Sequence, residues 1–388
     1  MINDELSQNS IAEEYKIWKK NVPHLYDLMF SHALKWPSLS VQVFPETKRD
    51  EVKGKTTQRL LLGTQTSGSE QEYIHIAHVD FPDKFEEALN DDFRAELRFK
   101  IGMSIPVSDE PNVIRYNPLA CNIIAARFDS RETHIFDYTK HPMLGDRPNP
   151  DLILTGHENG GFGLSWNPLA YDEIATAGTD KYICIYDINS SDKKIRPKLI
   201  LNEHTSVIND ICYSYHSANV LASASDDSSI ILWDTKTASP SIIFKSAHTS
   251  DVNSVHFSSI SPNVLASSSS DSSVKVWDLR TTNKPMYTLN GHSDSVNKVQ
   301  WSPHIESVLA SAGKDRRVCL WDLNLGEKMF SEDENTPVNV PTELMFLHGG
   351  HTDVVSDIYW NPSELLEIVS VSEDNILQIW QVSESNTF

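Results

Sequence analysis

Apolar residues along most of the chain occur in short runs that are separated by clusters of Ser, Asp, Asn and Gly. Typical runs are VNKVQW (296–301), VLASAG (308–313) and RRVCLWDL (316–323). They are rich in β-branched and aromatic residues, as strands are, and the small polar residues between them favour turns. The pattern therefore predicts an all-β protein over most of the chain.

The strand-like runs recur in five successive units that align without gaps. In each unit a histidine is followed by an aromatic residue after nine and after twenty-nine positions, by Ser or Thr after nineteen and by Asp after twenty-three. The histidines are His157, His204, His248, His292 and His351, and their spacings are 47, 44, 44 and 59 residues. A period near 44 residues, with Gly-His at one end and Trp-Asp at the other, is typical of the WD40 repeat, in which four antiparallel strands form one propeller blade.

Two further sets of strands precede the five clear units. Runs within 113–138 and within 59–102 each predict a degenerate blade, which brings the total to seven. We expect the remaining run, WPSLSVQVF (36–44), to be the fourth strand of the last blade, since a ring closed in this way has no open sheet edge at the join. The sequence thus predicts a seven-bladed WD40 β-propeller over 35–388.

The recurring Ser or Thr, His and Asp superficially look like hydrolase triads. A catalytic centre does not occur five times at identical spacing in one chain, so we reject that interpretation. The residues instead resemble the buried network of WD40 blades, in which Asp accepts from His, His bonds the hydroxyl and the hydroxyl bonds the Trp indole. Such a network satisfies its own polar groups and so specifies the blade.

Residues 1–34 are predicted to be helical and to pack on the last blade. Ser10 to Glu13 has the pattern of a capping box. Apolar residues then follow at helical spacing, and Pro23 suits the first turn of a second helical stretch. These apolar residues are Ile11, Tyr15, Trp18 and Val22.

The last repeat interval is about 15 residues longer than its neighbours, which places an insertion at 324–347. It contains the acidic cluster Glu332-Asp333-Glu334 and ends in the apolar run 344–347. A solvated loop is the simplest interpretation. The alternative is an acidic rim above an apolar floor beside the N-terminal helix, a groove suited to a basic amphipathic helix.

Composition narrows the range of partners. The chain has 54 acidic and 33 basic residues and a net charge of −21, which argues against nucleic-acid binding, including sequence-specific DNA recognition, and favours basic partners. The four cysteines are dispersed, so we expect an intracellular protein without disulfides or zinc, and Cys184 and Cys319 to be buried and inert. A polar N-terminus and the absence of a long apolar run predict neither a secretory signal nor a membrane span, and no motif calls for a cofactor.

Several segments are more specific than a generic WD40 repeat. They are EYKIWKKN (14–21), LYDL (25–28), HAL (32–34), WPSL (36–39), FDYTKHP (136–142), NPDL (149–152), GLSWNP (163–168), FLHGGH (346–351) and VSEDN (371–375). With them the whole chain resembles the histone-binding WD40 family, which comprises the retinoblastoma-binding histone chaperones and the second subunit of type B histone acetyltransferase.

The resemblance implies that the first helix of histone H4 binds between the N-terminal helix and the acidic insertion. The positions implied are His24, Leu25, Leu28, Glu332, Asp333, Glu334, Phe346 and Leu347. Leu25, Phe346 and Leu347 would form the apolar floor, and the three acids would meet arginines of the histone. His24 stands where the family commonly has a large aromatic residue, and Pro341-Thr342 replaces its Pro-Pro pair.

The resemblance also implies a second site for the histone H3 tail, or a similar basic peptide, on the top face around the central channel. The matching positions are Glu110, Asn112, Asp251, Asn253, Glu373 and Asn375. Family acids are replaced at Lys35, Gly160, Asn209 and Ser295. These departures favour the acetyltransferase subunit over the other family members.

The expected function is that of a non-catalytic subunit, present in nucleus and cytoplasm, that presents H4 or an H3–H4 pair to the catalytic subunit of a type B histone acetyltransferase for acetylation of H4 tail lysines. The alternative is a histone chaperone subunit of chromatin-assembly, remodelling or deacetylase complexes. A third possibility, an intrinsic enzyme, has no motif in its favour.

Overall fold

The computed structural model describes residues 2–50, 54–82, 98–281, 284–325 and 341–383. One helix, α1 (Ile2–Leu25), precedes seven sheets. The innermost strand of each sheet packs against that of the next, and the last packs against the first, so that the sheets close into a seven-bladed propeller. The predicted fold class is thereby confirmed.

The blades are numbered around the ring from the first one after α1, and their strands are ordered from the channel outwards. Blade 1 contains β2 (Val41–Val43), β4 (Lys55–Gly63), β5 (Glu72–Pro82) and β6 (Arg98–Val107), with β3 (Lys48–Asp50) paired to β4. Blade 2 contains β7 (Pro111–Asn117), β8 (Ala120–Phe128), β9 (Thr133–Asp137) and β10 (Leu152–Leu154), with β14 (Lys194–Ile195) added in parallel, and a 3-10 turn (Tyr138–Lys140) follows β9. Blade 3 contains β11 (Gly163–Trp166), β12 (Glu173–Ala177), β13 (Ile183–Asp187) and β15 (Leu199–Leu201).

The four remaining blades follow the same order. Blade 4 contains β16 (Ile208–Tyr213), β17 (Val220–Ser225), β18 (Ile230–Asp234) and β19 (Ser239–Phe244). Blade 5 contains β20 (Val252–Phe257), β21 (Val264–Ser269), β22 (Ser273–Asp278) and β23 (Tyr287–Asn290). Blade 6 contains β24 (Val296–Trp301), β25 (Val308–Gly313), β26 (Val318–Asp322) and β27 (Leu344–His348). Blade 7 contains β28 (Val355–Trp360), β29 (Glu367–Ser372), β30 (Ile376–Val382) and β1 (Tyr26–Ala33).

The closing strand is not the one expected from the sequence. Blade 7 is completed by β1, with Met29 opposite Trp380, whereas the run 36–44 supplies β2, the innermost strand of blade 1. Tyr26, Leu28 and Phe30 are buried with a period of two, the pattern of a strand. The predicted second helix over 23–34 and the boundary at residue 34 are therefore wrong, and the propeller begins at Tyr26.

The repeated polar network forms as predicted in blades 4, 5 and 6. In blade 3 Tyr186 replaces the Trp, and in blade 7 His351 Nδ1 lies 3.8 Å from Asp374, too far for a hydrogen bond. In blade 4, His204 Nδ1 lies 2.9 Å from Asp227 and Nε2 lies 2.7 Å from Ser223 Oγ, which accepts a 2.8 Å bond from the Trp233 indole. The equivalent hydroxyl residues in the five units are all 0% exposed: Thr176, Ser223, Ser267, Ser311 and Ser370. No substrate can reach these oxygens, so the networks hold the blades together and do not catalyse.

The core lies between neighbouring blades, and one of its apolar clusters contacts helix α1 while another holds β1. One lies between blades 6 and 7 and includes Phe346, Trp360 and Trp380. The other lies between blades 7 and 1 and includes Leu28 and Phe30. The predicted apolar stripe of α1 is partly buried, but the helix begins at Ile2, eight residues before the expected capping box.

Candidate functional site

Helix α1 rests on the joint between blades 6 and 7. Trp18, Val22 and Leu25 pack against the apolar cluster there. The Trp18 indole also donates a 2.9 Å hydrogen bond to the Tyr26 hydroxyl. The helix and the end of β27 therefore flank one surface, which is the arrangement expected for the groove.

An ion pair ties the helix to blade 6. The Glu14 carboxylate lies 2.7 Å from the guanidinium of Arg317 and 3.3 Å from that of Arg316, both in the turn between β25 and β26. These groups are partly exposed, so each pair contributes at most about 1 kcal/mol. The sequence alone does not predict this contact, since residues 302 and 303 positions apart give no local signal.

Phe346 and Leu347 do not share one floor. Phe346 is only 9% exposed and makes an edge-on contact with Tyr26, at 5.3 Å between ring centroids. Leu347 is 45% exposed and lies opposite Cys319, which belongs to the cluster between blades 5 and 6. Neighbouring strand residues point to opposite faces, so Leu347 can contribute only at the outer edge of β27.

Other predicted groove residues also differ from expectation in where they lie. Leu28 is 5% exposed and faces blade 1, so it is a core residue and not a groove residue. Leu25 is partly buried on the correct surface, and His24 beside it is exposed. A register shift in β27 brings Met345 to the same cluster as Phe346, a residue that sequence reasoning missed because bulges leave no clear pattern.

Three predicted acids of the groove, Glu332, Asp333 and Glu334, lie outside the described residues. The described part of the insertion ends at β27, whose residues Met345 and Phe346 face the joint between blades 6 and 7. The apolar part of the candidate groove is therefore Leu25, Met345 and Phe346, with His24 at its border.

The top face surrounds the mouth of the channel, a cavity of about 290 Å³. Two predicted ligands there serve the ring itself. The Asn112 side-chain amide donates to the Gly161 carbonyl oxygen of the next blade at 3.3 Å, and that of Asn253 donates to the Val296 carbonyl oxygen at 2.9 Å. Asn209 and Asn297 repeat this bond between later blades. These asparagines are inter-blade ties, a role that the sequence does not reveal.

Asn375 is also structural. It adopts a φ of 64° in the turn before β30, a backbone conformation that asparagine tolerates better than most residues. Its carbonyl oxygen accepts a 2.7 Å bond from the Leu34 amide. This bond joins the end of β1 to the turn of the last blade.

The remaining predicted top-face residues are acids in crowded surroundings. Partial burial and the charges of Glu72, Asp109 and Asp129 raise the pKa of Glu110. Partial burial and the charge of Asp353 raise the pKa of Glu373, although Lys314 opposes this. Carboxylates with raised pKa values gain from a nearby cation, so these positions can attract a basic ligand.

Asp251 completes this acidic surface. The pKa of Asp226 is raised mainly by partial burial of Asp226 and further by the negative charge of Asp251. Below the mouth, the charges of the channel are paired: Arg115 lies 2.9 Å from Asp357, and Lys298 lies 3.0 Å from Asp210. The attraction for cations is therefore concentrated at the rim and not in the channel.

The described ranges contain no cluster of three His, Cys, Asp or Glu side chains that could hold a metal ion. Cys184 and Cys319 are buried, as predicted, and burial raises the pKa of Cys184 to about 12. Among the helices of the described residues, none is long and apolar enough to cross a membrane.

Comparisons with known proteins agree with this geometry. Residues 13–83 match the family described as histone-binding protein RBBP4 or the C subunit of the CAF1 complex. Residues 342–381 match the WD domain, G-beta repeat, and residues 211–321 match the EIPR1 beta-propeller. The chain is 56% identical over 384 residues to histone acetyltransferase type B subunit 2 of Encephalitozoon cuniculi (strain GB-M1), a match that covers 99% of this chain and 100% of that protein. The chain therefore belongs to the histone-binding WD40-repeat family that includes histone acetyltransferase type B subunit 2.

Proposed function

We propose that this protein is the histone-binding subunit of a type B histone acetyltransferase complex. It holds histone H4, alone or with H3, for the catalytic subunit that acetylates lysines of the H4 tail. The observation that carries the proposal is the position of α1 beside Phe346, within a chain that is 56% identical throughout to a type B subunit 2. The N-terminal region is also the part that matches the histone-binding family.

The chemistry of the surface suits a basic amphipathic helix. Leu25 and Met345, which pack against the buried cluster of Phe346, offer apolar surface on which such a helix can bury its apolar face. The net charge of −21 steers basic histones towards the protein and increases the association rate. Apolar anchors are expected to dominate the affinity, since exposed ion pairs add little.

The protein acts without catalysing the transfer itself. The full burial of the hydroxyls in the repeated triad-like networks supports this part of the proposal, since those oxygens are out of reach of a substrate. The partners are thus H4, alone or with H3, and the catalytic subunit. We propose that the complex is present in the nucleus, as the type B subunit relative suggests, and in the cytoplasm.

The top face provides a second, weaker site for a basic peptide such as the H3 tail. Glu110, Asp251 and Glu373 would hold its cationic side chains, and the raised pKa values of Glu110 and Glu373 support this role. Asn112, Asn253 and Asn375 contribute indirectly, since their hydrogen bonds shape the rim.

A second candidate function is that of a histone chaperone subunit in a chromatin-assembly complex. The observation in its favour is the family match over 13–83, whose description includes a subunit of the CAF1 complex. Purification of the tagged protein distinguishes the two candidates. A type B catalytic subunit recovered at equal stoichiometry supports the first, and chromatin-assembly subunits recovered instead support the second.

The groove is tested by calorimetric titration with a peptide of the first helix of histone H4. Changing Glu332, Asp333 and Glu334 to Lys is expected to lower affinity about tenfold, from three partly screened charge interactions. A matched control makes the same change of net charge at Asp146, Asp192 and Glu203, which are exposed and lie on other blades. Equal losses in both variants would show that only overall charge matters and would refute the groove.

A further inference from the structure

Helix α1 is held at few points. On the flank that faces β1, a cavity of about 380 Å³ separates the helix from the strand, lined by Tyr15 and Lys19 on one side and by Phe30 and His32 on the other. The helix is therefore not wedged in place from this side. Its position depends on the ion pair of Glu14, on the cluster between blades 6 and 7, and on contacts with the segment FLHGGH (346–351).

One of these contacts is a chain of hydrogen bonds that runs from the helix into the core of blade 7. Trp18 Nε1 lies 2.9 Å from the Tyr26 hydroxyl, which lies 2.8 Å from His348 Nδ1. His348 Nε2 lies 2.7 Å from Gln378 Oε1, and Gln378 Nε2 lies 2.9 Å from the Gly350 carbonyl oxygen. All but Trp18 are buried.

The directions of these bonds follow from the two ends of the chain. The Trp18 indole can only donate, and the Gln378 amide donates to Gly350, which leaves its oxygen to accept from His348. His348 then carries its hydrogen on Nε2 and accepts at Nδ1 from the Tyr26 hydroxyl. Every donor meets one acceptor, so the chain is fully satisfied and defines one arrangement. Burial lowers the pKa of His348 well below its usual value, which keeps it in the neutral form that this chain requires.

The backbone of the same segment is shaped to receive the indole. A Cβ atom at Gly350 would lie 2.7 Å from Trp18 Cζ2 and 2.5 Å from Gln378 Oε1. No side chain fits there, so the glycine permits the close approach. The corresponding Gly291 of the preceding repeat instead makes room for Trp321 of its own blade.

Comparison of the internal repeats shows that His348 and Gln378, two members of this hydrogen-bond chain, occur only in the last unit. The residue three positions before the repeat histidine is Leu154, Leu201, Lys245 and Leu289 in the other units, but His348 in the last. The residue two positions before the outer aromatic residue is Cys184, Ile231, Lys275 and Cys319 in the others, but Gln378 in the last. Neither residue is needed to build a blade, since the other blades form without them.

We propose that Trp18, Tyr26, His348 and Gln378 are positioning residues that set the place and angle of α1 on blades 6 and 7. Through α1 they fix the helical wall of the histone groove beside Phe346. This inference rests on the proposed function for its effect on histone binding, but its effect on the helix is independent of it.

The decisive variant is Tyr26→Phe in the full chain. It keeps the ring that packs against Phe346 and removes only the hydroxyl, which leaves the Trp18 indole and His348 Nδ1 without partners. We expect amide hydrogen exchange of residues 11–25 to become about tenfold faster, with β24 to β26 unchanged. Affinity for the H4 first-helix peptide should fall about five- to tenfold, because part of the cost of the two lost hydrogen bonds appears as displacement of the helix.

Tyr116→Phe is the matched control. Tyr116 is a buried tyrosine whose hydroxyl donates to the Val43 carbonyl oxygen at 2.9 Å, in a cluster between blades 1 and 2. Its loss should lower stability by a similar amount without changing exchange of α1 or peptide affinity. Trp18→Phe should reproduce the effect of Tyr26→Phe, and the double variant should lose little more, because the two residues act through one chain.

Each outcome has a defined meaning. Unchanged α1 exchange in Tyr26→Phe, or an equal change in Tyr116→Phe, overturns the positioning role. Additive losses in the double variant overturn the linked chain. If the unmodified protein fails to bind the H4 peptide while α1 exchange responds as expected, the proposed function is wrong and the positioning of the helix stands.

Discussion

The surface beside α1 and the rim of the channel offer a basic partner two different kinds of site. Beside α1, the partly buried Leu25 and Met345 lie against the buried cluster that contains Phe346 and Tyr26. At the rim, acids crowd one another and the amides are already used between blades. Recognition is therefore coupled to folding at the first site and is mostly electrostatic at the second.

The largest expected effect separates core from surface within β27. Phe346→Ala should lower the free energy of unfolding by about 3–5 kcal/mol, because it empties part of the cluster between blades 6 and 7. Leu347→Ala, at an exposed position, should cost less than about 1 kcal/mol. Chemical denaturation of both variants measures the difference. Similar losses would show that the two side chains share an environment after all.

Neutralising the rim should separate the two sites. The variant Glu110→Gln, Asp251→Asn and Glu373→Gln is expected to weaken binding of an H3-tail peptide about tenfold, from three exposed charge interactions. Binding of the H4 first-helix peptide should stay within about twofold. Fluorescence anisotropy with each peptide tests this. A parallel loss for both peptides would mean that they use one site.

A variant of an inter-blade asparagine tests whether that residue stabilises the ring or binds the peptide. Asn253→Ala removes the bond to the Val296 carbonyl oxygen and should destabilise the propeller by about 1 kcal/mol. H3-tail affinity should not change if the amide serves only the ring. Thermal unfolding and peptide titration of the same sample distinguish the two roles. If Asn253 contacted the peptide instead, the variant would lose affinity and keep its stability.

The smallest expected effect is a pH dependence of the rim. Glu110 and Glu373 have raised pKa values, so they take up protons earlier than ordinary glutamates as the pH falls. A bound cation stabilises their charged forms, and affinity for a basic peptide should therefore decrease through that range by a few-fold. The same titration of Glu110→Gln/Glu373→Gln should be flatter. An equally steep curve in that variant would assign the dependence to other groups.

The repeat made most of the ring predictable, because its signals are local and occur five times. The closing strand was misassigned because residues 25–29 satisfy a helical spacing as well as a strand period, and pairing with Trp380 decides between them. Which side of the sheet Phe346 and Leu347 point to also depends on strand pairing, because β27 has a register shift opposite Leu320 and Trp321.

The candidate site residues rest on the family resemblance and stay predictions. Leu25, Phe346 and the acids of the rim could be found through the family resemblance. Tyr26 and His348 could not, since their link spans 322 positions and appears only when the blades meet. The bond of Asn253 to the next blade could not be predicted, because a sequence does not show which neighbour a side-chain amide already serves.

The pairing of β1 with β30 has a consequence for synthesis. The strand that follows α1 is made first, yet its neighbour in the sheet, Ile376–Val382, emerges from the ribosome last. Until then the hydrogen-bond chain that starts at the Trp18 indole is incomplete, because Gln378 and the rest of the final blade have not been synthesised. The surface beside α1 is therefore complete only after β30 has paired with β1.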